Sequence, residues 1–180
     1  MRRQSIRVVD VCVCLLALGV FGSSARAQTG ATDGEWRSYG GDLGSTKYSP
    51  LDQIDETNFA DLRIAWRWQS VDRTIDLAPL RQRYAETGLG TRYAIGIQFL
   101  NATPLMVGGV LYLSTPLYQA AAIDAGTGET LWAHDPESYL AGLPPHRFNS
   151  RGVAYWTDGA EARVLWGTGD GYLVAVDART

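Results

Sequence analysis

Ala122-Ile123-Asp124-Ala125-Gly126-Thr127 recurs as Ala175-Val176-Asp177-Ala178-Arg179-Thr180, with four identities in six positions at an offset of 53 residues. A fixed period of that size marks stacked supersecondary units, none of which buries its apolar face alone. It constrains the fold more than any other feature, because each copy needs a neighbour to pack against.

Short strands surround both copies. Thr103–Val107, Val110–Ser114, Ala121–Asp124 and Glu129–His134 read as four strands in about 32 residues, punctuated by Gly108-Gly109 and by Ala125-Gly126-Thr127-Gly128. Such dipeptides are hairpin signals. Four strands in this length make one blade of a β-propeller. The pattern restarts with strands at Gly152–Trp156, Val164–Gly167 and Tyr172–Asp177. The first copy runs on through Gly128 to Trp132, whereas the second reaches Thr180 before its fourth strand. A propeller of two to three blades does not close its ring, so the chain is expected to be the N-terminal part of a longer protein. Upstream, Trp36–Leu51 is Gly-rich and expected to be a packed loop. Leu62, Ile64, Trp66 and Trp68 alternate with polar or small residues, predicting a half-buried strand over Leu62–Gln69. Leu77–Glu86 is expected to form a short helix in a connection ending near Arg92.

Residues 1–27 read as an address. Arg2, Arg3 and Arg7 precede an apolar run from Val11 to Phe21, and Ala25-Arg26-Ala27 supplies a cleavage site. This is the pattern of a secretory signal peptide. The apolar run falls short of the roughly 18 residues a membrane-spanning helix needs, so no transmembrane span is expected. Export predicts a periplasmic protein.

Removal of this segment takes away four arginines and Asp10, leaving 12 basic against 18 acidic side chains of the original 16 and 19. An acidic balance argues against nucleic acid as a partner. Cys12 and Cys14 leave as well, so the mature chain has no disulfide, thiolate nucleophile or Cys metal site. His134 and His146 are the only histidines and have no zinc-ligand spacing. No G-x-S-x-G elbow is present for a serine hydrolase. No catalytic residue and no metal ligand is assigned within this chain. Asp158, Glu161 and Asp170 lie near turns and read as solvated carboxylates, and His146 as a loop histidine.

Ala122-x-Asp124-x-x-Thr127-Gly128-x-x-x-Trp132 resembles the tryptophan-docking repeat of quinoprotein dehydrogenases. Those are all-β propellers of about eight four-stranded blades. In this motif Asp124 accepts backbone N–H groups, Gly128 supplies positive φ, and the Trp132 indole docks between blades. Trp66 is expected to dock in the same way. The block from Trp36 to Trp68, the strand Ala102-Thr103-Pro104-Leu105-Met106-Val107 and Asn149-Ser150-Arg151-Gly152-Val153-Ala154-Tyr155-Trp156 resemble exported glucose and alcohol dehydrogenases that use pyrroloquinoline quinone (PQQ).

The resemblance implies a dehydrogenase oxidising a sugar or alcohol and passing electrons to ubiquinone or cytochrome c. Its cofactors would be PQQ and calcium, with the calcium ligands and the catalytic base beyond residue 180. Arg151 takes the position of a cofactor-contacting Arg, whose fork suits a carboxylate. Asn101 stands where many alcohol-oxidising members carry an acidic cofactor contact, and is kept as a second cofactor-binding candidate. Asn149-Ser150 replaces adjacent cysteines of the methanol and ethanol types, which points toward the glucose-type side. The rival reading is a non-catalytic propeller scaffold resembling outer-membrane assembly lipoproteins. Those need a lipobox Cys, which the Ala25–Gln28 site lacks.

Overall fold

The computed structural model describes residues 31–86, 100–142 and 148–180. The expected signal segment and His146 lie outside them. Two antiparallel sheets form the body. The first holds β1 (Leu105–Val107), β2 (Val110–Ser114), β3 (Ala120–Asp124) and β4 (Thr130–His134), in spatial order 1-2-3-4. The second holds β5 (Ala154–Thr157), β6 (Ala162–Gly167) and β7 (Leu173–Asp177) in chain order. All seven strands fall within two residues of their expected bounds. The turn at Gly108-Gly109 pairs Val107 with Val110, fixing the register of the first hairpin. A bulge follows in the last pair. Ala122 faces Trp132 and Ile123 faces Thr130, so Leu131 is extra and points into solvent.

The two sheets meet through one apolar cluster of Val107, Tyr112, Ala120, Ala122, Ala162, Val164, Trp166 and Ala178. Ala120, Ala121 and Ala122 are wholly buried because β3 lies inside its sheet and under its neighbour. Small side chains at these positions let the sheets approach, and the rings of Tyr112, Trp132 and Trp166 pack around them.

Leu62–Gln69 departs from expectation. It forms no strand among the described residues; Leu62 and Ile64 are exposed, and only Trp66 and Trp68 are half-buried. The alternation arises from docking. The Trp66 indole donates to the Ala125 carbonyl at 3.0 Å, and that of Trp68 to Thr130 Oγ1 at 2.9 Å. Two indole contacts hold the segment where a ladder was expected.

The helix α1 (Ala78–Glu86) confirms the short-helix expectation. Asp76 accepts from the Ala78 N–H at its start, and Leu80 and Tyr84 pack with Leu77, Leu117 and Tyr139. The loop before it is anchored by Asp72, a fully buried carboxylate. Asp72 accepts from Thr115 Oγ1 at 2.6 Å, Gln119 Nε2 at 2.8 Å and the Leu117 N–H at 3.1 Å. Burial raises the Asp72 pKa above its ordinary 3.8, against the pull of these three donors.

Asn at position 72 has one acceptor oxygen for three donors. In the full-length protein Asp72→Asn is expected to cost about 1–3 kcal/mol. The raised pKa adds a signature. From 3.8 up through the native value, folded Asp72 binds more proton than unfolded Asp72, so its contribution to stability falls as pH rises. Urea unfolding across that window is expected to show the gap between wild type and variant narrowing with rising pH. A gap that widens would contradict the assignment.

Candidate functional site: the Asn149–Arg151 segment

Two kinds of contact join the sheets, one structural and one facing solvent. The structural kind is the docked indole. Asp124 accepts from the Gly126 and Thr127 N–H groups at 3.0 and 2.8 Å and from Thr127 Oγ1 at 3.0 Å. The Thr127 bonds hold its carboxyl below the ordinary 3.8. The turn so formed aims the Ala125 carbonyl at Trp66. Gly128, at φ +77°, lies under the same indole: a Cβ there would stand 2.5 Å from Trp66 Cδ2. The second copy repeats the arrangement. The Arg179 N–H donates to Asp177 at 2.8 Å, and the Trp132 indole donates to the Ala178 carbonyl at 3.0 Å. Tyr112 Oη donates to that carbonyl too, at 3.1 Å. These residues are scaffold.

The solvent-facing contact lies at the entrance to β5. There the chain before β1 and the chain before β5 run alongside each other. Asn101 Nδ2 donates to Asn149 Oδ1 at 3.3 Å, and two residues on the Thr103 N–H donates to the Arg151 carbonyl at 3.3 Å. The two predicted cofactor-binding residues, Asn101 and Arg151, are thus brought onto neighbouring segments. Gly152 makes the approach possible. Its φ is +139°, and a Cβ would stand 3.3 Å from the Thr103 carbonyl oxygen.

Between Asn149 and Arg151, Ser150 turns inward. It is buried, and its hydroxyl shares a 2.6 Å hydrogen bond with that of Ser114, at the end of β2. The Asn149 backbone amide lies beside the Tyr118 phenol and opposes the rise in its pKa that burial imposes. Arg151 faces outward: the residue is exposed, and its guanidinium engages no described residue. An exposed fork on a tethered backbone is suited to seize an anion from solvent. Neither Ser114 nor Tyr118 was picked out from sequence. Their partners lie 36 and 31 residues away, and no local spacing announces such a contact.

PQQ carries carboxylates and quinone oxygens. One free guanidinium and two side-chain amides, with no carboxylate among Asn101, Asn149, Ser150 and Arg151, fit such a group. Among the described residues no three acidic, His or Cys side chains converge as a metal-binding group. No helix among the described residues is long and apolar enough to cross a membrane.

Antiparallel blades joined through docked indoles define a tryptophan-docked β-propeller segment. The chain belongs to the PQQ glucose/ethanol/alcohol dehydrogenase β-propeller family, whose model matches residues 36–180. It is 35% identical over 156 residues to the dehydrogenase subunit of the quinone-type alcohol dehydrogenase of Gluconobacter oxydans, covering 86% of this chain and 17% of that one. It is 34% identical over 157 residues to the 1-butanol dehydrogenase (cytochrome c) of Thauera butanivorans, covering 83% and 18%. The crystal structure of the quinohemoprotein alcohol dehydrogenase of Comamonas testosteroni superposes with a TM-score of 0.57 at 31% identity, over 81% of this chain and 18% of that one. The chain spans less than a fifth of the length of these relatives. All three are alcohol dehydrogenases, so they lend nothing to the glucose-type leaning drawn from Asn149-Ser150.

Proposed function

We propose that this chain is the N-terminal part of an exported, periplasmic PQQ-dependent dehydrogenase acting on an alcohol. The observation that carries the reading is the Arg151 guanidinium, free of described partners on a backbone fixed by Thr103, Ser114 and Tyr118. When bound, PQQ supplies a two-electron oxidant for the alcohol carbon. Arg151 holds a cofactor carboxylate as a bidentate cation. Asn101, paired with Asn149, offers an uncharged donor to a second cofactor oxygen. Neither residue moves a proton. The base and the calcium ligands belong to later blades, and the 180 residues alone are expected to be inactive. Electrons pass onward to ubiquinone or a cytochrome c.

A sugar is the second substrate reading, favoured by Asn149-Ser150 in the place of adjacent cysteines. Full-length protein loaded with PQQ and calcium, assayed with primary alcohols and with glucose, separates the two. Turnover of alcohols with little of glucose is expected; the reverse would transfer the assignment to the sugar type. Turnover of neither, with no quinone bound, would return the scaffold reading. N-terminal sequencing of the exported protein is expected to begin at Gln28, after the Ala25-Arg26-Ala27 site. Retention of Met1 would contradict export.

A further inference from the structure

The turn between β2 and β3, Thr115–Gln119, is more constrained than a loop of its length requires. Tyr118 sits at φ +65°, a left-handed conformation that a bulky side chain rarely adopts. The residue is nonetheless buried. Three hydrogen bonds over-determine the turn. The Thr115 N–H donates to the Gln119 carbonyl at 2.8 Å, the Tyr118 N–H to the Thr115 carbonyl at 3.0 Å, and the Gln119 N–H to Thr115 Oγ1 at 3.1 Å. Thr115 and Gln119 are tied in turn to the buried Asp72 carboxylate. Strain of this kind persists only where surroundings impose it, and it collects near sites of function.

Both ends of Tyr118 reach the second blade. Its carbonyl accepts the Trp166 indole N–H at 2.8 Å, and its phenol lies beside the Asn149 backbone amide, which pulls its pKa down against burial. Ser114, one residue before the turn, makes the other contact, the buried 2.6 Å hydroxyl pair with Ser150. The turn and the strand end before it therefore reach Asn149 and Ser150, the two residues that precede Arg151, with no hydrogen bond to the Arg151 side chain itself. Burial pushes the phenol above its ordinary 10.0, so the hydroxyl keeps its proton at neutral pH.

We infer that Tyr118 and Ser114 are positioning residues for Arg151: through the Asn149 amide and the Ser150 hydroxyl they set the direction in which the guanidinium leaves the backbone, and so the grip on an anionic cofactor. This rests on the quinone-site reading of Arg151. The cost of loosening such a grip is felt in affinity, because a fork that must be reordered on binding loses part of its advantage.

The test is a double-mutant cycle in the full-length protein, with PQQ titrated calorimetrically in the presence of calcium and unfolding followed in parallel. Tyr118→Phe and Ser114→Ala each remove one oxygen. Either is expected to weaken quinone binding about three- to tenfold, in the lower part of the range for coupled neighbours. In an Arg151→Ala background the same changes are expected to have no further effect on quinone affinity, while shifting the unfolding midpoint as much as before. A merely structural role moves the midpoint in both backgrounds and leaves the affinity alone. Unchanged affinity in both single variants, with wild type binding normally, would overturn this inference and spare the quinone-site reading. Additive losses of affinity in the Arg151→Ala background would also overturn it. No saturable binding by wild type would remove the quinone-site reading itself, and this inference with it. If one variant fails to fold, the other decides.

Discussion

Arg151→Ala in the full-length protein is expected to weaken PQQ binding by one to two decades. A charge-assisted hydrogen bond contributes on the order of 1.5–3 kcal/mol, and a bidentate fork adds geometry as well as charge. Arg151→Lys keeps the charge and loses the fork, so it is expected to fall between wild type and Ala. The loss is a loss of binding. Arg151 transfers no proton in this account, so saturating quinone is expected to restore most of the rate. Because the guanidinium makes no hydrogen bond or ion pair with a described residue, its removal leaves no buried group unsatisfied, and the unfolding midpoint is expected to stay within the scatter of surface substitutions. A variant that binds quinone as tightly as wild type would take Arg151 out of the site. A variant that binds normally but unfolds early would make it a structural residue.

The second large effect concerns the join between blades. Trp132, on β4, reaches the end of β7, with its indole N–H on the Ala178 carbonyl and its ring 6.1 Å from that of Tyr112. Trp132→Ala leaves a gap where the two blades meet. Full burial of the ring would put the cost at the upper end for large-to-small changes; half-buried, it is expected near 3 kcal/mol. Trp132→Phe keeps an aromatic ring and loses only the N–H. The Ala178 carbonyl still accepts from Tyr112 Oη, so about 1 kcal/mol is expected. Urea unfolding of the two variants beside wild type measures both. Equal stability of Trp132→Ala and wild type would mean that the docked indole does not hold the blades together.

Much of this architecture is legible in the residues themselves. Asp124, Thr127, Gly128 and Trp132 act over at most eight positions, so their pattern survives as a local string, and its return at Asp177 exposed the stacking. Strand bounds followed because Gly108-Gly109 and Ala125–Gly128 are turns by composition. Leu62–Gln69 misled for a physical reason. Alternation records which side chains face inward, and a docked indole at Trp66 and Trp68 writes the same period as a ladder. The site was only half legible. Arg151 and Asn101 could be named from resemblance, and the structure sets their segments side by side. What tethers Arg151 could not, because Ser114 and Tyr118 reach Ser150 and Asn149 across a blade boundary. The buried role of Asp72 was equally silent: its donors lie at Thr115, Leu117 and Gln119, over 40 residues downstream.

The central claim is that these blades present Arg151 to a carboxylate-bearing quinone. Calorimetric titration of the full-length protein with PQQ, calcium present, tests it most directly. Saturable binding of one quinone per chain, weakened at least tenfold by Arg151→Ala with an unchanged unfolding midpoint, is the predicted result. Absence of saturable binding, or equal affinity in wild type and Arg151→Ala, would contradict it.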